Sequence, residues 1–220
     1  DFGQAEIQSG RLAGQAILFL PRHGMPARFL PHKINYRANL KALQMLGASQ
    51  ILAVTAVGTV SEDLNVPCLV VPDQIIDYTY GRALTFFEDE IHHIDFTHPY
   101  DALFRTQLLA AVAEVAESHK EMQAVLSGVY GCTQGPRLET KAEVRRLRND
   151  GCSIVGMTAM PEVALARELE LPYAGISVTV NPGADMADRD IALAEIHEAM
   201  NQGLSWVKLV LAELLSTPPV

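Results

Sequence analysis

Three short polar groups interrupt an otherwise apolar chain, and each sits where a predicted strand ends. Arg22-His23 follows the run Gln15–Leu20, Thr55-Ala56 closes the run Gln50–Ala56, and Met157-Thr158 follows Ser153–Val155. Arginine presents a planar fork of donors that suits an oxyanion, and histidine adds a donor or a positive charge. Thr55 and Thr158 add hydroxyls, Ala56 adds a backbone N–H, and the helix start predicted at Pro161-Glu162 favours anions. Brought together, these groups would grip one small dianion such as phosphate. Apart, each has an ordinary structural reading, as a surface Arg-His pair or a threonine cap.

A sheet must do the gathering. The segment 151–185 reads as a short strand, a turn with Met157 and Thr158, a helix from Pro161, and a strand Tyr173–Val180 that breaks at Asn181-Pro182-Gly183. Leu40, Leu43 and Leu46 at spacing three, with Gly47 as stop, predict a helix over Asn35–Gly47. Further helices are predicted over Tyr100–Glu117, Glu139–Arg148 and about Asp190–Leu215, with one strand or two joined by a bend over 67–78 and a strand over Gln123–Gly131. The last helix carries Ile191, Leu193, Ile196, Met200 and Leu204 on one stripe. Thr79–Pro99 has no clear period, and so long a loop in a compact domain is usually functional or covered by a partner. Alternating strands and helices, with near-continuous apolar strands, predict one α/β domain over residues 1–220. Its sheet is expected to be twisted, mixed and mostly parallel, with helices on both faces. Sheets of this kind bind ligands beyond their strand ends.

A 220-residue chain that is 49% hydrophobic and 20% charged has the composition of a soluble globular domain. No apolar run approaches the ~20 residues of a membrane helix, and no secretory leader opens the chain, so a cytoplasmic protein without a membrane partner is expected. The net charge of −9 argues against nucleic acid as a partner. Cys68, Cys132 and Cys152 show neither zinc spacing nor a CxxC motif, so no metal is expected and the thiols should be buried and reduced.

Several segments resemble the trimeric purine nucleoside phosphorylase and methylthioadenosine phosphorylase family. They are Arg22-His23-Gly24, Lys33–Asn39 (KINYRAN), Thr55–Gly58 (TAVG), Asp73–Asp77 (DQIID), Gln134–Arg137 (QGPR), and Gly156-Met157-Thr158 with Pro161-Glu162, all in family order. The resemblance implies the nucleoside phosphorylase fold and a homotrimer. It also implies phosphorolysis, in which phosphate is a co-substrate and no cofactor is needed. By the same resemblance Arg22, His23, Thr55, Ala56 and Thr158 contact phosphate, Met157 packs beneath the ribose, and His23 and Asn181 are catalytic. Glu139 and Asn181 match family members that read 6-oxopurines, with Leu138, Pro182 and Gly183 beside them; many members carry phenylalanine where Leu138 stands.

An ionised carboxylate only accepts, so Glu139 suits the N1–H of a 6-oxopurine and opposes the bare N1 of adenine. Glu139 could equally be a helix N-terminal residue favoured by the dipole. Leu193, or its neighbour Ile191, stands where inosine-cleaving members place a histidine near the 5′-hydroxyl, which suits a 5′-methylthio group instead. His93 matches a histidine that family members contribute to a neighbouring subunit, and as a residue of a His92-His93 pair it could equally be surface. The segments around Tyr130–Thr140 and Val180–Pro182 are similar to bacterial methylthioinosine phosphorylases. The family also opens with a strand and a Gly-Gly-Thr-Gly phosphate loop with no counterpart here, so that unit is expected upstream of Asp1. Three alternatives remain open: cleavage of inosine or guanosine, cleavage of methylthioadenosine, and a non-catalytic purine- or phosphate-binding homologue. A hydrolytic nucleosidase would leave Arg22, His23 and Thr158 without a purpose.

Overall fold

The computed structural model describes residues 2–186 and 192–216. The run expected to be a buried strand at Gln15–Leu20 lies outside the main sheet. Residues Gln8–Leu12 (β1) and Gln15–Phe19 (β2) pair antiparallel as a separate hairpin with no buried residue. Leu18 and Leu20 still pack against the core, which explains the apolar run: a short one does not say what it pairs with.

Seven strands form the main sheet: β3 (Ile51–Thr59), β4 (Leu69–Val70), β5 (Gln74–Asp77), β6 (Ala124–Val125), β7 (Val129–Cys132), β8 (Ile154–Gly156) and β9 (Tyr173–Pro182). Their order is β5-β7-β8-β3-β9-β4-β6. The β5–β7, β7–β8, β3–β9 and β4–β6 pairs are parallel, and β3–β8 and β4–β9 are antiparallel, so the sheet is mixed and mostly parallel as expected. The stretch 67–78 forms two strands, the second of its two predicted readings, and the single strand predicted over 123–131 also splits in two; in each case the halves lie on opposite sides of the sheet. Arg105 binds both breaks, donating to the carbonyls of Pro72, Val71 and Leu126, and Gly128 N–H donates to Asp73 Oδ1 at 2.6 Å.

Helices α1 (Tyr36–Met45) and α4 (Glu162–Glu168) cover one face, while α2 (Ala102–Ser118) and α5 (Leu193–Ser216) cover the other; α3 is Lys141–Asn149. Period-two alternation in β9 builds the second core: Ala174, Ile176, Val178 and Val180 meet Leu108, Val112, Trp206 and Val207. Full burial of a side chain such as Leu108 or Ile176 contributes roughly 1.5–3 kcal/mol. Helix α5 comes so close to β9 that a Cβ on Gly203 would lie 2.1 Å from Val178 Cγ1. All three cysteines are buried and free.

Candidate functional site

Strands β8, β3 and β9 lie side by side, with Gly58 opposite both Val155 and Asn181. The β3–β9 register slips at Val57/Gly58: Val57 pairs with Thr179 but Gly58 with Asn181, leaving Val180 as the extra residue. Such a bulge re-aims the chain. Strict alternation would send Asn181 to the side opposite Val178 and Val180, yet all three line one cleft. This cleft, of about 500 Å³, opens where the three strands end. Arg22, His23, Thr55, Ala56, Met157 and Thr158 also line it, as do Leu138, Glu139 and Gly183. Arg22 and Thr158 thus line one cleft.

The arginine fork is already partly engaged. Arg22 Nε and Nη2 donate to the two Glu162 carboxylate oxygens at 2.9 and 2.6 Å, and Nη1 donates to Val54 O at 3.0 Å. Tyr173 Oη donates to the same carboxylate at 2.8 Å. Burial works against a charged guanidinium, but the charge and hydrogen bonds of Glu162 outweigh it and hold Arg22 protonated above its usual range. Three of five N–H groups are occupied, which leaves two for a ligand. Glu162 does occupy the first turn of α4, as the dipole favours, but its main role is to fix Arg22 across 140 positions of sequence.

The Nδ1–H of His23 must donate to Phe29 O at 2.8 Å, since a carbonyl only accepts, so Nε2 remains for the cleft. Thr55 Oγ1 shares a 2.8 Å hydrogen bond with the buried Ser177 hydroxyl. Thr158 is buried within the bend that follows β8. Burial pushes the Cys132 thiol up to about 12, which leaves this neighbour of the site inert as a nucleophile.

Glu139 lies outside α3, whose N-terminus is closed by Thr140 and Glu143 in a capping box. Glu139 thus sits one residue before the N-cap and is not part of the first turn. Instead its Oε1 accepts from Thr133 Oγ1 at 2.6 Å at the rim of the cleft. Met157 abuts Gly135, whose φ of +63° and whose missing Cβ, 2.5 Å from Met157 Sδ if it were present, leave room only for glycine. Asn181 Nδ2 donates to Pro182 O at 2.9 Å, so half of its donor capacity is still available.

Other expected residues are placed differently. Leu193 is 73% exposed and does not line the cleft. It is the first residue of α5, seven positions before Met200 on the same helix face. Ile196, Met200 and Leu204, at i, i+4 and i+8, form the apolar wall instead. Pro182 faces an adjoining hollow of about 520 Å³. His93 is exposed and does not line this chain's cleft, and Ile191 lies outside the described residues. Four contributors were missed from sequence: Glu162 as partner to Arg22, Ser177, Thr133, and Arg82 of the irregular 79–99 segment. Only the α5 stripe carried a periodic signal. Among the described residues, no group of three His, Cys, Asp or Glu could hold a metal ion, and no helix is long and apolar enough to cross a membrane.

The family profile described as "Phosphorylase superfamily" matches residues 2–216. The chain belongs to this superfamily. A Pseudomonas syringae pv. tomato protein named "Probable S-methyl-5'-thioinosine phosphorylase" is 50% identical over 214 residues, covering 96% of this chain and 85% of that protein. The "6-oxopurine nucleoside phosphorylase" of Pyrococcus furiosus is 38% identical over 226 residues, covering 99% of this chain and 83% of that protein. Among solved structures, methylthioadenosine phosphorylase from Schistosoma mansoni in complex with adenine superposes with a TM-score of 0.88 at 30% identity, over 96% of this chain and 79% of that one. Family membership and this degree of structural likeness confirm the expected nucleoside phosphorylase fold.

Proposed function

We propose that the protein is a pentosyltransferase that cleaves a 6-oxopurine methylthionucleoside: S-methyl-5'-thioinosine plus phosphate gives hypoxanthine and 5-methylthioribose 1-phosphate. Two unlike walls of one cleft carry this reading, the Glu139 carboxylate at one and the apolar Ile196, Met200 and Leu204 at the other. The names of the Pseudomonas and Pyrococcus relatives agree with both halves of it.

Phosphate sits against Arg22, His23, Thr55, Thr158 and the Ala56 N–H, with Met157 under the ribose. As the C1′–N9 bond lengthens, the sugar gains oxocarbenium character, and the adjacent dianion both stabilises it and supplies the oxygen that bonds C1′. The electron pair of the broken bond goes to the purine, where the Asn181 amide donates to N7 or O6 as charge builds up. Glu139 accepts from N1–H; adenine, with a bare N1, leaves the carboxylate unpaired, and such a mismatch rejects a base by orders of magnitude. The apolar α5 wall suits a methylthio group and gives nothing to a 5′-hydroxyl.

A homotrimer acting in cytoplasmic purine salvage completes the reading, with exposed His93 completing a neighbour's 5′ subsite. Turnover of methylthioinosine, inosine and methylthioadenosine at equal phosphate tests it. Methylthioinosine should be fastest, and fastest cleavage of methylthioadenosine would overturn the base assignment.

A further inference from the structure

Glu139 hangs from a loop, outside any helix or strand, yet one of its carboxylate oxygens is hydrogen-bonded to a neighbouring side chain. We propose that Thr133 is the positioning residue that aims Glu139 and so helps to choose the purine, an inference that rests on the base reading above. Thr133 Oγ1 lies 2.6 Å from Glu139 Oε1 and 3.3 Å from Gly156 O. A hydroxyl has one proton to donate, and the shorter, charge-assisted contact to the carboxylate takes it. Among the described residues, Glu139 Oε2 has no hydrogen-bond partner. One oxygen is thus tethered to the protein and the other is left as a pure acceptor.

Thr133 can act as a tether because both of its backbone polar groups are hydrogen-bonded. Its N–H donates to Gly156 O at 2.8 Å, and its carbonyl accepts from Arg82 Nη2 at 3.3 Å. The buried Arg82 guanidinium also binds the carbonyls of Gln134, Met157 and Met160. Support therefore runs from Arg82 through the 133–134 backbone to the hydroxyl, and from there to Glu139. Only the last link needs an oxygen on residue 133; the backbone bonds that hold the fold do not.

That last link also bears on selectivity. A carboxylate free to swing away would lose its acceptor contact with the N1–H of a 6-oxopurine and, with it, the discrimination against adenine. A hydroxyl donating to Oε1 leaves Oε2 facing the base as an acceptor, so 6-oxo and 6-amino bases meet opposite outcomes.

Thr133→Val keeps the β-branched shape and removes the donor, Thr133→Ser restores it, and Glu139→Gln probes the base reading independently. The readouts are kcat and KM for methylthioinosine and methylthioadenosine at saturating phosphate, hypoxanthine affinity by calorimetry, and melting temperature. In Thr133→Val, methylthioinosine KM should rise about tenfold and the preference over methylthioadenosine should fall about as much, with kcat nearly unchanged. Thr133→Ser should return to within about threefold of wild type, the size expected when the donor but not the methyl group is restored. If Glu139→Gln lowers the preference and Thr133→Val does not, the tether is refuted while the base reading stands. If Glu139→Gln leaves the preference unchanged, the base reading fails, and the tether with it. Should Thr133→Val not fold, Thr133→Ala replaces it under the same criteria. Loss of hypoxanthine affinity in Thr133→Ser equal to that in Thr133→Val would also refute the tether.

Discussion

Replacing Glu162 with glutamine removes the counter-charge of Arg22 and little else. Glutamine has nearly the same volume and keeps one acceptor oxygen, but the carboxylate it replaces receives Arg22 Nε, Arg22 Nη2 and Tyr173 Oη, and its side chain is only 4% exposed. Breaking a buried pair from one side typically costs about 3–5 kcal/mol. The retained oxygen puts Glu162→Gln near the lower end, about 3 kcal/mol, or roughly 6–12 °C in melting temperature for a chain of this size. The informative quantity is how much of this loss phosphate restores. Bound at 100 times its dissociation constant, phosphate stabilises the wild type by about 2.7 kcal/mol. In the variant the same dianion would also become the counter-charge of Arg22, so its stabilising shift should exceed the wild-type shift. Thermal melts of both proteins across a phosphate titration, with sulfate-free chloride as ionic-strength control, give the comparison. An equal or smaller phosphate shift in Glu162→Gln would show that the guanidinium does not face the dianion.

Three further outcomes follow from other parts of the molecule. Gly203→Ala should push α5 away from Val178 and loosen the Met200–Leu204 wall, costing about 1–3 kcal/mol in chemical denaturation and raising KM for methylthio substrates more than for inosine. Arg82→Lys should behave as a disruptive change, because three ammonium donors cannot serve the carbonyls of Thr133, Gln134, Met157 and Met160; a loss of about 2–4 kcal/mol in urea unfolding is expected. Hydrogen bonds from Arg137 and from the Thr140 backbone hold the Glu143 carboxyl down to about 2, from a usual value of 4.5. The unfolded chain binds that proton more readily, so the stabilisation is fully present above about pH 4.5 and fades as pH falls toward about 2. The difference in urea midpoint between wild type and Glu143→Gln should therefore shrink over that window and stay constant above it.

The legible parts of the site are those that depend on local pattern. Thr158 follows the end of β8 as its pattern predicts, but Thr55 does not end a strand: β3 continues through the buried Val57, Gly58 and Thr59, because one polar residue does not stop a strand whose neighbours go on pairing. The α5 stripe is visible in its spacing, but spacing does not say which turn reaches the cleft; the family resemblance points to Leu193, whereas Ile196, Met200 and Leu204 line it. Three features had no local signature. The Arg22–Glu162 pair joins residues 140 positions apart, the β9 bulge that turns Asn181 inward is one extra residue in an unbroken apolar strand, and Thr133 becomes a partner of Glu139 only after the QGPR loop folds back. The hairpin shows the reverse failure: QAILFL has the composition of a central strand and pairs only with its sequence neighbour, because apolarity reports burial and not partnership.

The most direct test of the central claim is purine release from methylthioinosine measured with and without inorganic phosphate, with the sugar product identified by mass spectrometry. A cleft built to hold a dianion beneath a ribose predicts release only when phosphate is present, with hypoxanthine and 5-methylthioribose 1-phosphate in equal amounts. Equal rates in its absence, yielding free methylthioribose, would mean that water is the nucleophile and would contradict the assignment of Arg22, Thr55 and Thr158.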